Sequence, residues 1–335
     1  MTFRESFARP LVAAIAAALI TSLPMVIGAT AADSTLVPTP KAAAKRAPDV
    51  KRPAGMGALQ ADTLLASYAK DRAETREWLK SKPTSYLATI SRKDFDGRPS
   101  LTVGSAATSD VRIQDPEIKP SHLRVTVVGD SFRVETLDPA ARFKSKDVEM
   151  TAATLPPSGI KVGRYTLRLS HQRFPGIIVF DPKSPRFKLY KGIKYFPPDL
   201  SYHIVAALTP NANPDTTIIL STRGNQRRAI RMGWFDFKVN GRDCRLEVTR
   251  LLEPGVGEQD FGIFFTDATT GKASYKVGRY LDTERLPDGR YVLDFNKAYN
   301  PACAYSEHYN CPIPPRANRL AVAIRAGEMD AHYMH

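Results

Sequence analysis

Residues 300–318 read NPACAYSEHYNCPIPPRAN, with two cysteines, one histidine, two tyrosines and four prolines. Three chemistries are open to this set. Cys303 and Cys311, with seven residues between them, would close a small disulfide loop in an oxidising compartment, worth roughly 2–3 kcal/mol in the chain-entropy model. Cys303, His308 and Cys311 would instead offer a metal two sulfurs and a nitrogen, with Asp294, Asn296 and Glu307 as the nearest oxygen donors. Zinc knuckles use a closely spaced C-x2-C pair, which this spacing does not provide. In the third chemistry Cys303 is a nucleophile, His308 its base and Asp294 the group that orients the base. The disulfide is the expected state, and neither a metal nor a cofactor is expected. The third cysteine, Cys244 in the strand-like run RDCRLEV, reads as a buried free thiol.

The residues around the cysteines are polar and aromatic. Pro312, Pro314 and Pro315 impose an extended path and remove backbone donors. Asn296, Asn300 and Asn318 carry amides that close turns. Tyr299, Tyr305 and Tyr309 would either stack on a sugar or cover the loop. Arg279 in VGRYL and Asp294 in YVLDFN are expected to pair beneath it. Each residue has a structural use when taken singly. A rigid loop lined by Tyr, Asn, Asp, Arg and His is nevertheless the mixture found at small-ligand pockets. The expected ligand-binding set is Asp267, Arg279, Tyr280, Asp294, Asn296, Tyr299, Asn300, Tyr305, His308 and Asn318.

The elements that position this loop are read from the start of the chain. Arg4 and Arg9, an apolar run over residues 11–29 and the small residues Ala29-Thr30-Ala31 have the order of a secretory signal. Residues 1–32 are expected to be cleaved, leaving no transmembrane anchor and a periplasmic or secreted protein. Residues 33–58 are a basic linker rich in Pro and Ala, with five Lys/Arg against two Asp, too poor in large apolar residues to fold. The whole chain carries +14. With one net positive charge in the signal and three in the linker, +10 remains for residues 59–335. Such a surface favours anionic partners. No nucleic-acid motif is visible, and nucleic acid is not an expected partner.

Residues 59–82 read as one helix, with Leu64, Leu65, Tyr68 and Ala69 on one face, Asp62 or Thr63 helping to start it and Pro83 stopping it. From residue 85 the chain changes to short strands broken by Gly-Asp, Asp-Pro and Pro-Gly, a β-sandwich or barrel pattern. A second β-rich block begins near Tyr190. In it Asn240-Gly241 separates two strand-like runs and marks a hairpin, and a further hairpin is expected to turn at DATTGK. No helical period stands out beyond Lys82. The fold class is therefore mainly β. Residues 59–84 form a helix, 85–182 a β-sandwich domain and 185–330 a second β-barrel or sandwich.

Within the first β block, VGSAATSDVRIQDPEIKPSHLRVTVVGDSFRVETL over residues 103–137 resembles the forkhead-associated domain. Gly104, DVRI from Asp110, Asp115-Pro116, His122 and Gly129-Asp130 carry the likeness. The resemblance implies a sandwich scaffold. Ser105 stands where that family has its phosphate-holding arginine, and Lys119 where it has its serine. Phosphopeptide binding is therefore not expected, and His122 reads as a structural residue at a strand edge.

The C-terminal block resembles the family named domain of unknown function 1684. The features are D-x-T-x-G from Asp267, G-R-Y-L from Gly278, D-F-N-x-A-Y-N-P from Asp294, C-A-Y-S from Cys303, C-P-x-P-P from Cys311, N-x-L from Asn318 and A-G-E from Ala326. This resemblance implies kinship and brings no activity with it. The expected function is non-catalytic recognition of a small polar or carbohydrate-like envelope ligand, or of an envelope polymer, by the C-terminal loop. The alternatives are a hydrolase using Asp294, His308 and Asp267, and a purely structural loop. An enzyme would place a carboxylate and His308 around one concave site, whereas a binding module would present tyrosine faces.

Overall fold

The computed structural model describes residues 52–330. The expected signal segment and most of the linker lie outside the described residues. Among those described, no helix is long and apolar enough to cross a membrane.

The N-terminal helix spans Ala58–Ser81. Its Ala, Leu, Glu, Lys and Arg content favours that state. It starts a turn before Asp62 and Thr63, behind Gly57 and without a side-chain cap. Lys82 is extended, as a residue preceding proline should be. Ala61, Tyr68, Thr75 and Leu79, spaced by seven, seven and four, form its buried stripe.

A two-sheet sandwich follows. One sheet has six strands in the spatial order Thr89–Asp94, Gly176–Phe180, Tyr165–Ser170, Ser158–Val162, Phe143–Ser145, Val148–Met150. The other has five, in the order Val111–Arg112, Ser100–Gly104, Leu123–Val128, Ser131–Thr136, Ala152–Leu155. Leu101, Val125 and Phe132 from the second sheet meet Ile160, Leu167 and Val179 from the first in one core. Alternating burial along Tyr165–Ser170 leaves Thr166 and Arg168 half-buried on the outer face while Leu167 and Leu169 enter the core.

The second module is also β-rich, but it contains no closed barrel. Its longest strand, Gln226–Val239, pairs with Arg242–Leu251 through the expected Asn240-Gly241 hairpin, with Val239 opposite Arg242. The other edge of that strand holds Leu208–Pro210 and Thr216–Leu220. Two smaller sheets complete the module. Tyr291–Asp294 lies between His203–Ala206 and Thr283–Arg285, and Ile263–Phe265 pairs with Arg279–Leu281. The last pair is joined through residues 266–278, which include DATTGK. Beyond Lys82 the structure adds one four-residue α-helix, Arg186–Leu189, and several single-turn 3-10 helices.

The two modules share a hydrophobic cluster. Leu79 of the helix, Ile178 and Phe180 of the sandwich and Ile219 of the second module pack there with Cys303, Tyr305, Tyr309 and Cys311. The cysteine-bearing loop is thus the core of the junction between the modules. Polar ties reinforce it: Thr89 Oγ1 donates to Ser306 Oγ at 2.7 Å, and Arg223 Nη2 to Asp94 Oδ2 at 2.8 Å.

Candidate functional site

The loop residues come together, although not around an open pocket. Tyr299, Tyr305 and Tyr309 are buried, as are Asn300, Cys303 and Cys311. Tyr280 hydroxyl donates to Pro312 O at 2.6 Å, Tyr299 to Asp282 Oδ1 at 3.0 Å, and Tyr305 to Glu328 Oε2 at 3.1 Å. Asn300 donates its backbone N–H to the same Glu328 oxygen at 2.8 Å and its amide to Met329 O. Tyr305 also stacks on Tyr86 of the preceding module at 5.7 Å.

Cys303 and Cys311 are neighbours in contact. The Cys303 N–H points at Cys311 Sγ, 3.3 Å away, and both thiols are free. The hydrogen bond between the thiols, together with burial, pushes the Cys303 thiol up. A nucleophile needs the opposite shift, toward the thiolate. His308 does not join them. Its Nε2 is 3.4 Å from Glu307 Oε1, and burial pushes its imidazolium down against the pull of that carboxylate. Among the described residues no group of three or more His, Cys, Asp or Glu is arranged to hold a metal. Cys244 is free and buried.

Arg279 and Asp294 do not pair, contrary to the expectation from sequence. Arg279 pairs with Asp267 at 3.0 Å, with both side chains at 1% exposure or less. Its Nη1 donates to the carbonyls of Ala326 and Glu328, and Nη2 donates also to that of Ile324. Burial pushes this guanidinium down, and Asp267 opposes the shift. Asp267 accepts besides from Ile324 N at 2.7 Å and from the hydroxyls of Thr269 and Thr270. The reason for the different pairing is register. Arg279 lies opposite Phe265, two residues before Asp267, in one sheet, whereas Asp294 lies opposite His203 in another.

Asp294 therefore anchors a different network. Its Oδ2 accepts from Tyr68 hydroxyl at 2.8 Å and lies 3.1 Å from His203 Nδ1, while Oδ1 accepts from the Asn296 backbone and amide. Burial, then the Asp294 charge, pushes the Tyr68 phenol up. Asn296 also clasps the backbone of Asp199 in both directions. Asn318 does the same elsewhere, accepting from Glu247 N at 2.6 Å and donating to Glu247 O and Phe264 O at 2.9 Å. The three residues of the hydrolase alternative, Asp267, Asp294 and His308, thus sit in three separate networks. Sequence reasoning missed Tyr68 and His203 as the partners of Asp294, and Glu328 as the acceptor for Asn300 and Tyr305, although Glu328 stood in the A-G-E motif.

Two motif glycines have steric reasons. A Cβ on Gly278 (φ 110°) would meet Phe265 O at 2.5 Å, and one on Gly327 (φ 78°) would meet Ala298 O at 2.4 Å.

The concave surface lies beside the loop. A cleft of about 700 Å³ opens between the sandwich and the second module. On one side stand Thr166, Arg168 and Ser170 from one strand, with His171 and Gln172 following. On the other stand Arg227 and residues 253–256. Arg227 and Glu253 form a bidentate pair at 2.5 and 2.6 Å with almost no exposure. Arg227 Nη1 also donates to Asn310 O at 3.1 Å, so the loop braces the cleft from behind. His122, by contrast, is structural, with Nδ1 accepting from Lys119 N and Nε2 donating to Arg142 O.

No functionally curated protein matches the chain. Among solved structures, the chain is similar to an uncharacterized protein of Haloarcula marismortui solved by solution NMR. Identity is 34%, coverage is 44% of this chain and 82% of that one, and the TM-score is 0.36. It is also similar to the FHA domain of FhaA, at 14% identity, with 26% and 96% of the two chains covered and a TM-score of 0.19. A third match is Mycobacterium tuberculosis EmbR solved with a low-affinity phosphopeptide, at 11% identity, with 36% and 31% covered and a TM-score of 0.20. The model of a family described as protein of unknown function, DUF1684, matches residues 188–329, and through this module the chain belongs to that family.

Proposed function

We propose that the protein is a non-catalytic receptor for a small polar or carbohydrate-like ligand of the cell envelope. The single observation that carries this reading is the cleft of about 700 Å³ between the modules, of a size suited to small ligands. In this reading the loop of residues 300–318 shapes the site without facing the ligand. It wedges the modules apart at a fixed angle and braces Arg227. The mature chain works in the periplasm or outside the cell, following the export segment. There Cys303 and Cys311, already in contact, join as a disulfide that locks the wedge.

The test is a melting-temperature screen of the mature chain against neutral and acidic monosaccharides, short oligosaccharides, amino acids and chromogenic esters. A ligand that binds only the folded state raises the melting temperature by mass action. The expected result is a concentration-dependent rise with one sugar class and no turnover of any ester. Ester hydrolysis lost on replacing His203 or Asp294, with no sugar raising the melting temperature, would overturn the reading.

A further inference from the structure

We infer that the segment 188–194 and the helix ridge it packs on form a surface that docks peripherally on an anionic phospholipid bilayer. Leu189 enters the headgroup layer and the lysines around it meet lipid phosphates. The inter-module cleft plays no part in this inference. Residues 182–198 contain five Lys/Arg and no Asp or Glu. Arg186 is paired with Glu307 at 2.9 Å, and Lys183 stands beside Asp181. Lys188, Lys191 and Lys194 are exposed and join no ion pair among the described residues.

The N-terminal helix adds charge to the same surface. Arg72, Arg76 and Lys80 are spaced by four and fall along one ridge of the helix. That ridge packs on the segment: the guanidinium carbons of Arg72 and Arg76 lie 4.7 and 5.0 Å from the centroid of the Tyr195 ring, and Arg76 donates to Ile193 O at 3.2 Å. Lys80 extends the ridge and is exposed. The acids of this part of the helix, Asp71, Glu74 and Glu77, lie off the ridge, and Glu74 is already partnered by Lys70. Met329 N donates to Lys194 O, which brings Asp330 close, a single half-buried acid against these bases.

The apolar part of the surface points to lipid rather than to a soluble polyanion. Phe187 packs on the cluster at the module junction, whereas Leu189 does not and is 56% exposed. Both belong to the short helix Arg186–Leu189. Residues two apart in a helix point roughly 200° apart, so the inward Phe187 turns Leu189 outward. A leucine flanked by Lys188 and Lys191 suits an interface where hydrocarbon lies beneath negative charge, because lysine stems follow the apolar side while their ammonium groups reach the phosphates. Lysine is also a point charge without a planar fork, which fits a diffuse field of headgroups better than one shaped anion. A linear polyanion offers nothing to receive Leu189.

The experiment is co-sedimentation of the mature chain with vesicles of phosphatidylcholine alone and of phosphatidylcholine and phosphatidylglycerol in equal parts. The expected result is binding to the mixed vesicles only, weakening as salt is raised. Lys188→Gln/Lys191→Gln/Lys194→Gln should weaken it about 100-fold, at a factor of about five for each lysine near the surface. The same loss of charge on strands far across the six-stranded sheet, in Lys144→Gln/Lys146→Gln/Lys161→Gln, should cost less than about threefold. Leu189→Ala should weaken binding about 10-fold and leave the salt dependence as it was. All seven side chains are exposed, so melting temperatures should stay at the parent value. Equal binding to the two vesicle types, or to neither, would overturn the inference. Equal losses in the two triple variants would reduce the effect to net charge and overturn it. Unchanged binding in Leu189→Ala would make the surface a site for polyanions in general, and that too would overturn it.

Discussion

Arg279 and Asp267 form the most deeply buried ion pair among the described residues, with side-chain exposures of 1% and 0%. Removing one member of such a pair leaves an uncompensated buried charge, at a cost of roughly 3–5 kcal/mol. Arg279→Ala is expected to lower the free energy of unfolding by that amount, read as a lower denaturant midpoint at an unchanged m-value. Arg279→Lys should recover only part of it, because one ammonium cannot reach Asp267 and the carbonyls of Ile324 and Ala326 together. An unchanged midpoint in Arg279→Ala would contradict the pairing. His308 gives a pH signature at the same scale. Burial lowers its folded pKa from the ordinary value near 6.5, so between those two values the unfolded chain binds more protons than the folded one. Stability should therefore fall as the pH drops through that window, and His308→Gln should flatten the slope. Denaturant midpoints measured across pH 5–8 in both proteins check this, and parallel curves would refute it. The motif residues were legible individually, but their partners were not. Asp267 and Arg279 are twelve residues apart and adopt their contact through a loop whose path no spacing rule specifies.

At the scale of elements, the N-terminal helix is held by its buried stripe and by long-range hydrogen bonds, among them Tyr68 hydroxyl to Asp294 Oδ2 at 2.8 Å and Arg76 to Ile193 O at 3.2 Å. Tyr68→Phe leaves the packing in place and removes a bond to a charged acceptor, worth roughly 1.5–3 kcal/mol. Amide exchange along the helix should quicken while the sandwich strands keep their rates. Uniform quickening everywhere, or none, would refute a local anchoring role. The loop element makes its own prediction. In protein purified from the envelope, non-reducing alkylation followed by intact mass should find one free thiol, that of Cys244. Three alkylated thiols would show that Cys303 and Cys311 stay reduced. The helix, the Asn240-Gly241 hairpin and the strand character of both β blocks were readable because they rest on local periodicity and turn chemistry. The loop's burial was not. Its polar and aromatic composition suits an exposed site equally well, and only the docking of Ile178, Phe180 and Tyr86 against it turns it into core.

At the scale of the whole molecule, two β modules and a helix are fastened through one loop, and the cleft exists because they meet. Neither module's sequence contains it. Arg168 and Arg227 are 59 positions apart in the numbering, and nothing in either stretch marks them as neighbours. The forkhead-associated likeness was legible, and so was its limit. Ser105 and Lys119 replace the phosphate-holding residues, so calorimetry with paired phosphothreonine and plain peptides should show no preference for the phosphorylated form. Selective low-micromolar binding would contradict this. The most direct test of the account is amide hydrogen exchange of the mature chain with and without a saturating concentration of the sugar that most raises its melting temperature. The account predicts ligand-dependent slowing at residues 158–159, 166–172 and 253–256, with residues 300–318 unchanged. Slowing concentrated in residues 300–318, or absent throughout, would contradict it.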